Sequence, residues 1–465
     1  MHLDPLILSR MQWAWVIGWH ILLPSFTVGL ASYIAFLEGL HFFTSDPVWL
    51  RISRFWIRIF SVSFAMGVVT GIIMPFQFGT NWSRFTDAAG NVISPMLAYE
   101  DLLAFFLEAT FLGILLFGRE RVPRWAHFLS ACMVALGTLF SSFWILSVNS
   151  WMQTPAGYTM RDGRFFPTNW MDIVFSPSLP YRLSHNVCGF YVTTGFVVLG
   201  VGAWLVRRHG STVEGRRIVM MALIFLAIFV PLQIFLGDQQ GLNTREYQPA
   251  KLAAIEGRWT DASPAPLTLF AIPDQKAERD DYAIDIPVIG SLILTHSLNG
   301  EVKGLKDWPA DERPPVAPVF FAFRIMVGIG FLMLGVVILG WVLYIRHMLF
   351  ETAWFLRLCQ FVAPLGFVAV LCGWTVTEVG RQPWTVYGLM RTADSVSPSL
   401  TGSDVALSLL LYVAVYLVIY PLGLLAMLRI VWRGPVASEA AAPIAGGRSK
   451  APIEALTPAA PEAAR

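Results

Sequence analysis

Ionisable side chains occur inside two of the most apolar segments of the chain. His20 lies in WAWVIGWHILLPSF (13–26), and Glu100 and Glu108 lie in YEDLLAFFLEATF (99–111). Ionisable groups at membrane depth are costly, and they commonly serve as ligands or in proton transfer. A single buried histidine can also be a hydrogen-bonded core residue. The position of His20 therefore leaves ligation and packing as equal alternatives.

Of the two glutamates, Glu108 is a candidate for a proton path. They are eight residues apart, which is about 12 Å along a helix. Glu108 has mostly apolar neighbours, and a carboxylate in such surroundings suits a proton relay. The alternative is a hydrogen bond that joins two helices.

Other candidate ligands lie at the ends of apolar segments. His185 opens one segment, Met326 follows Arg324 at the start of another (FRIMVG), and Glu378 closes a third in GWTVTEVGRQPW, where Arg381 follows it. Histidine and methionine are axial ligands of low-spin haem, and arginines pair with propionates. This pattern suggests a redox membrane protein, although none of these residues forms a named haem motif.

Other membrane protein classes fit less well. A cytochrome b of the quinol–cytochrome c type needs histidine pairs about a dozen residues apart on two helices, and the sequence has none. A haem–copper oxidase needs a His–His dipeptide and further buried histidines, and eight histidines without such a dipeptide are too few. A transporter would use the intramembrane acids but would not need His20, His185 and Met326 together.

Composition indicates the elements that position these residues. The 465 residues are 55% hydrophobic and only 14% charged, whereas a soluble domain carries about 25% charged residues. The net charge of +2 indicates no nucleic-acid partner. We expect an all-α, polytopic membrane bundle, since a span needs about 20 apolar residues. Nine spans are predicted, at 12–40, 56–78, 96–118, 126–149, 186–206, 217–236, 319–345, 354–377 and 405–430.

Arginines predict the orientation of the bundle. They follow spans one, three, five, seven and nine, and short cytoplasmic connections are enriched in Arg and Lys. The N-terminus is therefore expected outside and the C-terminus in the cytoplasm of a bacterial inner membrane. Residues 434–465 are rich in Ala and Pro and predict a disordered cytoplasmic tail. His127 falls near a span end, where we expect it to be solvated.

Residues 237–259 (GDQQGLNTREYQPAKLAAIEGRW) follow an almost uncharged apolar run. They combine charged residues with a short helix-like core, AKLAAIEG. Composition alone favours a solvated extramembrane loop.

Several long strings in the sequence resemble subunit I of the cytochrome bd family of quinol oxidases. They run in the family's order over about residues 1–433, and KLAAIE and GRQPW are the most specific of them. The strings are GVVTGIIMPFQFGTNW (67–82), EDLLAFFLEATFLG (100–113), ALGTLFSSFWILSVNSWMQTP (135–155), KLAAIE (251–256) and GRQPW (380–384).

The resemblance implies a set of haem ligands. His185 and Met326 correspond to the axial ligands of a low-spin haem b. His20 and Glu378 correspond to the ligands of two clustered haems, a high-spin haem b and a haem d, without deciding which residue holds which haem. The other matched residues lie beside the haems, with Arg324 at the low-spin haem, Trp374 and Arg381 at the haem pair, and Arg10 as a propionate partner.

The resemblance also implies where protons and quinol bind. Residues 1–433 would form the haem-binding oxidase domain, and 237–318 would form a periplasmic quinol loop that starts near Asp238. The implied roles are Glu100 at the dioxygen-reducing haem pair, Glu108 and Ser141 on a proton path from the cytoplasm, and Lys251 and Glu256 in quinol binding.

Two departures narrow the resemblance. The stretch 237–318 is short, which is typical of the short-loop type. The string WHILLPSFTVGLAS (19–32) resembles the cyanide-insensitive branch. In that branch haem d can be replaced by a third haem b.

The implied enzyme is a quinol:oxygen oxidoreductase that generates a proton-motive force without pumping. It oxidises quinol outside and reduces dioxygen to water with cytoplasmic protons. The implied partners are a second membrane subunit and a small single-helix subunit. A non-enzymatic haem-binding membrane subunit and a transporter are the alternatives.

Overall fold

The computed structural model describes residues 4–435, which form sixteen α-helices and six short β-strands. The predicted tail, 434–465, lies outside these residues apart from 434 and 435. The helices are α1 (Pro5–Leu22), α2 (Pro24–Thr44), α3 (Pro47–Ile72), α4 (Met74–Thr80), α5 (Ser83–Tyr99), α6 (Phe106–Phe117), α7 (Arg124–Gln153), α8 (Trp170–Val174), α9 (Leu179–His209), α10 (Val213–Tyr247), α11 (Pro249–Glu256), α12 (Ile289–Thr295), α13 (Val316–Ile345), α14 (Ala353–Val362), α15 (Leu365–Val379) and α16 (Gly402–Arg433).

The strands form three antiparallel hairpins, all within the connections that the sequence places outside the membrane. They are β1 (Tyr158–Arg161) with β2 (Arg164–Pro167), β3 (Leu267–Asp274) with β4 (Arg279–Ile286), and β5 (Trp384–Val386) with β6 (Met390–Arg391).

Eight helical segments of the described chain are long and apolar enough to cross a membrane, which confirms the multi-pass helical bundle. Their bounds are Pro5–Thr44, Pro47–Thr80, Arg124–Gln153, Trp170–His209, Val213–Tyr247, Val316–Ile345, Ala353–Val379 and Gly402–Arg433.

The predicted span at 96–118 is not among the eight. The chain is helical there, but a π-helical segment, Glu100–Phe105, separates α5 from α6. The run also carries three carboxylates, Glu100, Asp101 and Glu108. Eight of the nine predicted spans therefore correspond to candidate membrane spans, and the ninth, 96–118, is a helix with a π-helical segment in it. A π turn adds a residue to the helical turn and commonly occurs at functional sites.

Four helices form a ring around the candidate ligands. Helix α9 packs against α10 and α15, and α13 packs against the same two helices. Glycines on α9 permit the close approach, since a Cβ on Gly195 would lie 2.6 Å from Leu226 of α10. Small residues at helix contacts allow tight packing inside a membrane, where the hydrophobic effect gives little drive for helix association. His185 on α9 and Met326 on α13 therefore belong to one packed unit.

A buried ionic network joins the helices at the opposite end from the hairpins. Glu38 of α2 accepts hydrogen bonds from Ser53 of α3 and from Arg119, and its other oxygen lies 3.1 Å from His127 Nδ1 of α7. His127 Nε2 lies 3.1 Å from the Leu115 carbonyl. His127 is only 3% exposed, so the expectation that it is solvated was wrong. Its two acceptor partners stabilise it in the interior.

The outer connections interlock. Gln248, between α10 and α11, donates to the Gln153 carbonyl at 2.9 Å. The Tyr387 amide of the β5–β6 hairpin donates to the Met152 carbonyl at 3.0 Å. These bonds bring the connections 150–185, 237–318 and 378–404 together over one end of the bundle.

Candidate functional site

His20 lies near the end of α1, before the break at Leu23. Its Nδ1 lies 2.9 Å from the Thr70 hydroxyl, and that hydroxyl donates to the Met66 carbonyl at 3.0 Å. Because the hydroxyl hydrogen is used in this way, Nδ1 must carry a hydrogen and donate it to Thr70. The Nε2 lone pair is then free, and this is the tautomer that a metal ligand requires.

Gly71 leaves space beside His20. A Cβ at this position would lie 3.2 Å from His20 Cε1. Any larger residue at position 71 would press on the imidazole ring.

His185 lies in the first turns of α9 and faces α10. Its Nδ1 lies 3.2 Å from Gln233 Nε2, while the buried Gln233 Oε1 has no partner within the described residues. Rotating the amide by 180° brings Oε1 to Nδ1 as an acceptor and leaves Nε2 free for a ligand. Gly237 leaves room on this side, since a Cβ there would lie 3.4 Å from the ring.

Met326, ten residues after the first residue of α13, points toward α15. A Cβ on Gly373 would lie 3.2 Å from the Met326 sulfur, so the glycine makes space for the thioether. His185 and Met326 thus project from two helices that share α10 and α15 as neighbours.

Glu378, near the end of α15, lies among positive charges. Its carboxylate accepts a hydrogen bond from Asn149 Nδ2 at 2.9 Å and forms an ion pair with Arg381. Arg182 donates to the side-chain oxygen of Asn149, Oδ1, and to Ser150 Oγ. Arg182 and Arg381 are 7% and 5% exposed.

Lys251 adds a third cation to this region. Its ammonium donates to Gln153 Oε1 at 2.7 Å. Burial, together with the charges of Arg182 and Arg381, holds the pKa of Lys251 well below its usual range. A carboxylate bound here would relieve that cost, because the cluster holds three cations and one anion.

Two side chains in this region keep unused donors. Arg381 Nε and Nη1 and Trp374 Nε1 are buried and have no hydrogen-bond partner within residues 4–435. Buried donors are normally satisfied, and an unmet one costs about 1–3 kcal/mol. A bound group with hydrogen-bond acceptors would satisfy these Arg381 and Trp374 donors.

Glu256 lies at the other end of α11 from Lys251 and faces a different neighbour. It pairs with Arg324 Nη2 at 3.1 Å, and the same nitrogen donates to the Thr268 carbonyl at 2.7 Å. The Arg324 guanidinium also lies over the Phe320 ring, 4.0 Å from its centroid. Lys251 and Glu256 therefore lie on the same helix but contact different residues, Gln153 and Arg324.

The π-helical segment positions the first carboxylate. Ser141 of α7 donates to Glu100 Oε1 at 2.6 Å. Glu108, one turn into α6, is buried against Gly137 of α7, where a Cβ would lie 2.5 Å from Glu108 Cγ. Arg10, by contrast, is exposed on α1.

The reading of residues 237–259 as a solvated loop was wrong. Helix α10 continues to Tyr247, and α11 follows directly. Lys251 and Glu256 are 4% and 3% exposed. The segment is buried because the alanines and the isoleucine of KLAAIE pack against apolar residues of α13 and α15.

Sequence reasoning missed several polar residues that hold this site together. Three of them are uncharged amides, which composition does not single out. The fourth, Arg182, is charged and lies near the start of a helix, and this was the one signal that could have indicated it. These residues are Asn149, Gln153, Arg182 and Gln233.

The chain is similar to known proteins over almost its whole length. The model of the family "cytochrome bd terminal oxidase subunit I" matches residues 8–435. The chain is 36% identical over 443 residues to cytochrome bd ubiquinol oxidase subunit 1 of Bacillus subtilis (strain 168), covering 93% of this chain and 94% of the relative. It is 32% identical over 510 residues to cytochrome bd-II ubiquinol oxidase subunit 1 of Escherichia coli (strain K12), covering 95% and 99%.

The fold is also similar to that of a solved structure. The bd oxidase from Geobacillus thermodenitrificans matches with a TM-score of 0.87 and 32% identity, over 93% of this chain and 99% of that chain. The residues matched by the family model, 8–435, include His20, His185, Met326 and Glu378. The chain belongs to the cytochrome bd terminal oxidase subunit I family.

Proposed function

We propose that this protein is the haem-bearing subunit of a quinol:oxygen oxidoreductase, a terminal oxidase that oxidises quinol and reduces dioxygen to water. Family membership supports the reaction class. The single observation that carries the assignment to this chain is the buried cluster of Arg182, Lys251 and Arg381 around one carboxylate, Glu378.

The residues present fit haem groups. Arg381 and Trp374 have buried donors without partners, which propionate oxygens would satisfy. Glycines 71, 237 and 373 let neighbouring backbone approach His20, His185 and Met326 closely. The hydrogen bond from His20 to Thr70 leaves Nε2 for iron.

We assign His185 and Met326 to a low-spin haem b, with Arg324 nearby. His20 and Glu378 would hold the two high-spin haems, which are haem b and either haem d or a third haem b. Trp374, Arg381 and Arg10 would contact the haem edges or propionates. When bound, haem iron supplies the electron transfer and the dioxygen chemistry.

The side chains of this chain would manage protons and substrate. Lys251 fixes a quinol oxygen, and Glu256 accepts quinol protons that leave on the outer side. Glu108, Ser141 and Glu100 carry protons from the cytoplasm toward the haem pair. Because protons are released on one side and consumed from the other, turnover generates a proton-motive force without a pump.

The proposed setting is a bacterial inner membrane, with the connections 150–185, 237–318 and 378–404 facing the periplasm. The proposed assembly contains a second membrane subunit, subunit II, and a small single-helix subunit. Residues 1–433 would form the oxidase domain, with 237–318 as the quinol loop.

Spectra of Met326→Leu test the haem assignment. Leucine keeps the volume but lacks the sulfur ligand, so the low-spin band in the reduced-minus-oxidised spectrum should be lost or shifted, with quinol-dependent oxygen uptake reduced at least about tenfold. Met333→Leu, on the same helix, is the matched control. An unchanged low-spin band in Met326→Leu would refute the His185/Met326 assignment.

Glu256→Gln tests the quinol assignment separately. The neutral amide keeps the shape but cannot take a proton, so the rate of quinol oxidation should fall while the haem spectrum stays intact. Unchanged rate and affinity would exclude Glu256 from quinol oxidation. A protein that binds haem but consumes no oxygen with quinol would be an electron carrier, and one without haem bands would fit a transporter.

A further inference from the structure

His20 lies in a turn of α1 that cannot complete its own backbone hydrogen bonds. In a regular helix each carbonyl accepts from the amide four residues later. Pro24 has no amide hydrogen, and the Leu23 amide bonds the His20 carbonyl at 2.9 Å in its place. The Trp19 carbonyl, to which a regular helix would direct that same Leu23 amide, therefore loses its helical partner.

A phenol from the last helix replaces the missing donor. The Tyr420 hydroxyl of α16 donates to the Trp19 carbonyl at 2.6 Å. The Tyr420 ring packs on the Trp19 indole, with the two ring centroids 4.6 Å apart. Both side chains are half-buried, and a backbone carbonyl left without a donor inside a membrane is costly. The bond is therefore a specific connection between α16 and the turn that carries His20.

Helix α16 also packs against α3, which holds the His20 ring. A Cβ on Gly423 would overlap the Met66 side chain, so this glycine allows the two helices to approach closely. The Met66 carbonyl accepts from the Thr70 hydroxyl, whose oxygen lies 2.9 Å from His20 Nδ1. The backbone before His20 and the ring of His20 are thus held by two helices that pack on each other.

We propose that Tyr420 is a positioning residue for His20, because its hydrogen bond to the Trp19 carbonyl fixes the turn from which the imidazole reaches the haem iron. The inference rests on the proposed function, in which His20 is an iron ligand. Tyr420 acts through the backbone and is not itself a ligand. Partners of this kind orient metal ligands and affect how firmly the metal is held, so the effect of Tyr420 should be confined to one haem.

The same helix supplies a matched control one turn earlier. Tyr416 is 1% exposed, and its hydroxyl has no hydrogen-bond partner among residues 4–435. The Tyr416 and Tyr420 ring centroids are 5.5 Å apart. Tyr416→Phe therefore removes the same atom from the same aromatic stack without breaking a hydrogen bond.

Spectra of the purified oxidase test the inference. His20→Met exchanges the nitrogen ligand for sulfur, and the band that it shifts in the reduced-minus-oxidised spectrum belongs to the haem at His20. We expect Tyr420→Phe to shift or broaden that same band. The low-spin band assigned to His185 and Met326, and every band of Tyr416→Phe, should match the wild type.

Haem transfer to excess apomyoglobin is the second measurement. Loss of the His20 band over time gives the rate at which this haem leaves. The rate should rise about threefold to tenfold in Tyr420→Phe, since one hydrogen bond that supports the ligand is lost. It should be unchanged in Tyr416→Phe.

A restored donor separates positioning from packing. Replacement of Tyr420 by 4-aminophenylalanine keeps the ring and supplies an N–H that can bond the Trp19 carbonyl. This variant should recover the wild-type band and the wild-type rate of haem loss. If it behaves like Tyr420→Phe, the donor is not what positions His20, and the inference is overturned.

The outcomes distinguish this inference from the proposed function. If His20→Met shifts a haem band but Tyr420→Phe keeps both the wild-type band and the wild-type rate of haem loss, Tyr420 does not position His20 and the proposed function stands. Equal changes in Tyr420→Phe and Tyr416→Phe would also overturn the inference. If His20→Met leaves every haem band in place, His20 is not a ligand, and that part of the proposed function fails together with the inference.

Discussion

Glu38 is a buried carboxylate that bonds three side chains from different segments of the bundle. It is 3% exposed and meets Arg119, His127 and Ser53 through its two oxygens. His127 has acceptors at both ring nitrogens, since the Leu115 carbonyl bonds the second one. The Glu38 carboxylate therefore balances the charge of the Arg119 guanidinium and also bonds the buried His127 ring.

We expect Glu38→Gln to destabilise the protein by about 3–5 kcal/mol, because it leaves buried positive charge without a counterion. The measurement is unfolding of the detergent-solubilised protein by heat or denaturant. Glu214→Gln serves as the comparison, since its pair with Arg51 is more exposed and should be worth less than about 1 kcal/mol. Equal stability of the two variants would show that the network contributes little.

At the scale of elements, the π-helical segment Glu100–Phe105 determines how two carboxylates face α7. The extra residue turns Glu100 toward Ser141 while Glu108, further along, packs on Gly137. A regular helix would rotate one of them by about 100° relative to the other. The interruption is therefore a means of aligning both groups on one neighbour.

Deleting Leu103 tests this alignment. Leu103 is 52% exposed, and its removal should restore a regular α-helix without loss of core packing. We expect the low-spin haem spectrum to persist and quinol-dependent oxygen uptake to fall at least about tenfold. Leu103→Ala, which keeps the register, should retain activity; a deletion variant with full activity would contradict the role of the π segment.

The β3–β4 hairpin has a pH dependence of its own. Burial raises the pKa of Asp280, although Trp259 Nε1 donates to its carboxylate at 3.0 Å. The native state therefore holds the proton more tightly than the unfolded state. The resulting stability is present below the unfolded pKa, about 3.9, and is lost as pH rises through the folded value.

Asp280→Asn should remove that loss, because the amide oxygen still accepts from Trp259 and no charge forms. Hydrogen exchange of residues 267–286, corrected for the intrinsic rate at each pH, measures the effect. Protection in the wild type should decrease from pH 4 toward neutrality, whereas protection in the variant should stay level. Asp281→Asn is the neighbouring control, and equal slopes in all three proteins would refute the prediction.

On the scale of the whole molecule, sidedness is the untested property with the largest consequence. The hairpins lie at one end of the bundle, and the Glu38 network lies at the other. Orientation in the membrane is proposed from the distribution of arginines alone. Labelling can test it directly.

Single cysteines report the two faces. We expect a membrane-impermeant maleimide to label Tyr282→Cys in intact spheroplasts, and to label Arg208→Cys only after lysis, because both positions are exposed but at opposite ends. The four native cysteines lie in apolar helices and give the background. The reverse labelling pattern would invert the proposed topology.

Much of the fold could be predicted from the sequence, because long apolar runs have few alternatives in a membrane. His20, His185 and Glu378 stand out as polar groups at or in such runs, and the family resemblance implied the role of Met326; the ligand roles of all four stay predictions. The π segment was missed because an added residue leaves no trace in hydropathy. Burial of Lys251 was missed because it depends on contacts with Gln153 and Gly380, which are far away in sequence.

The amides at the centre of the site lay beyond sequence reasoning for a similar reason. Gln153 and Asn149 carry no charge and sit where a helix meets a polar connection. Their importance arises from three-dimensional neighbours, Lys251 and Glu378, which are about 100 and about 230 residues away. Pairings at that separation cannot be read from one sequence.

The interlocked outer connections also set an order of assembly. The Ser397 amide bonds the Asn81 carbonyl at 3.0 Å, and Tyr387 bonds Met152, so the cover over the bundle is completed by the last connection before α16. During synthesis that connection emerges after all the helices bearing candidate ligands have entered the membrane. We therefore expect large flat cofactors to enter before this last connection folds over the bundle, because its bonds to Asn81 and Met152 close the outer end.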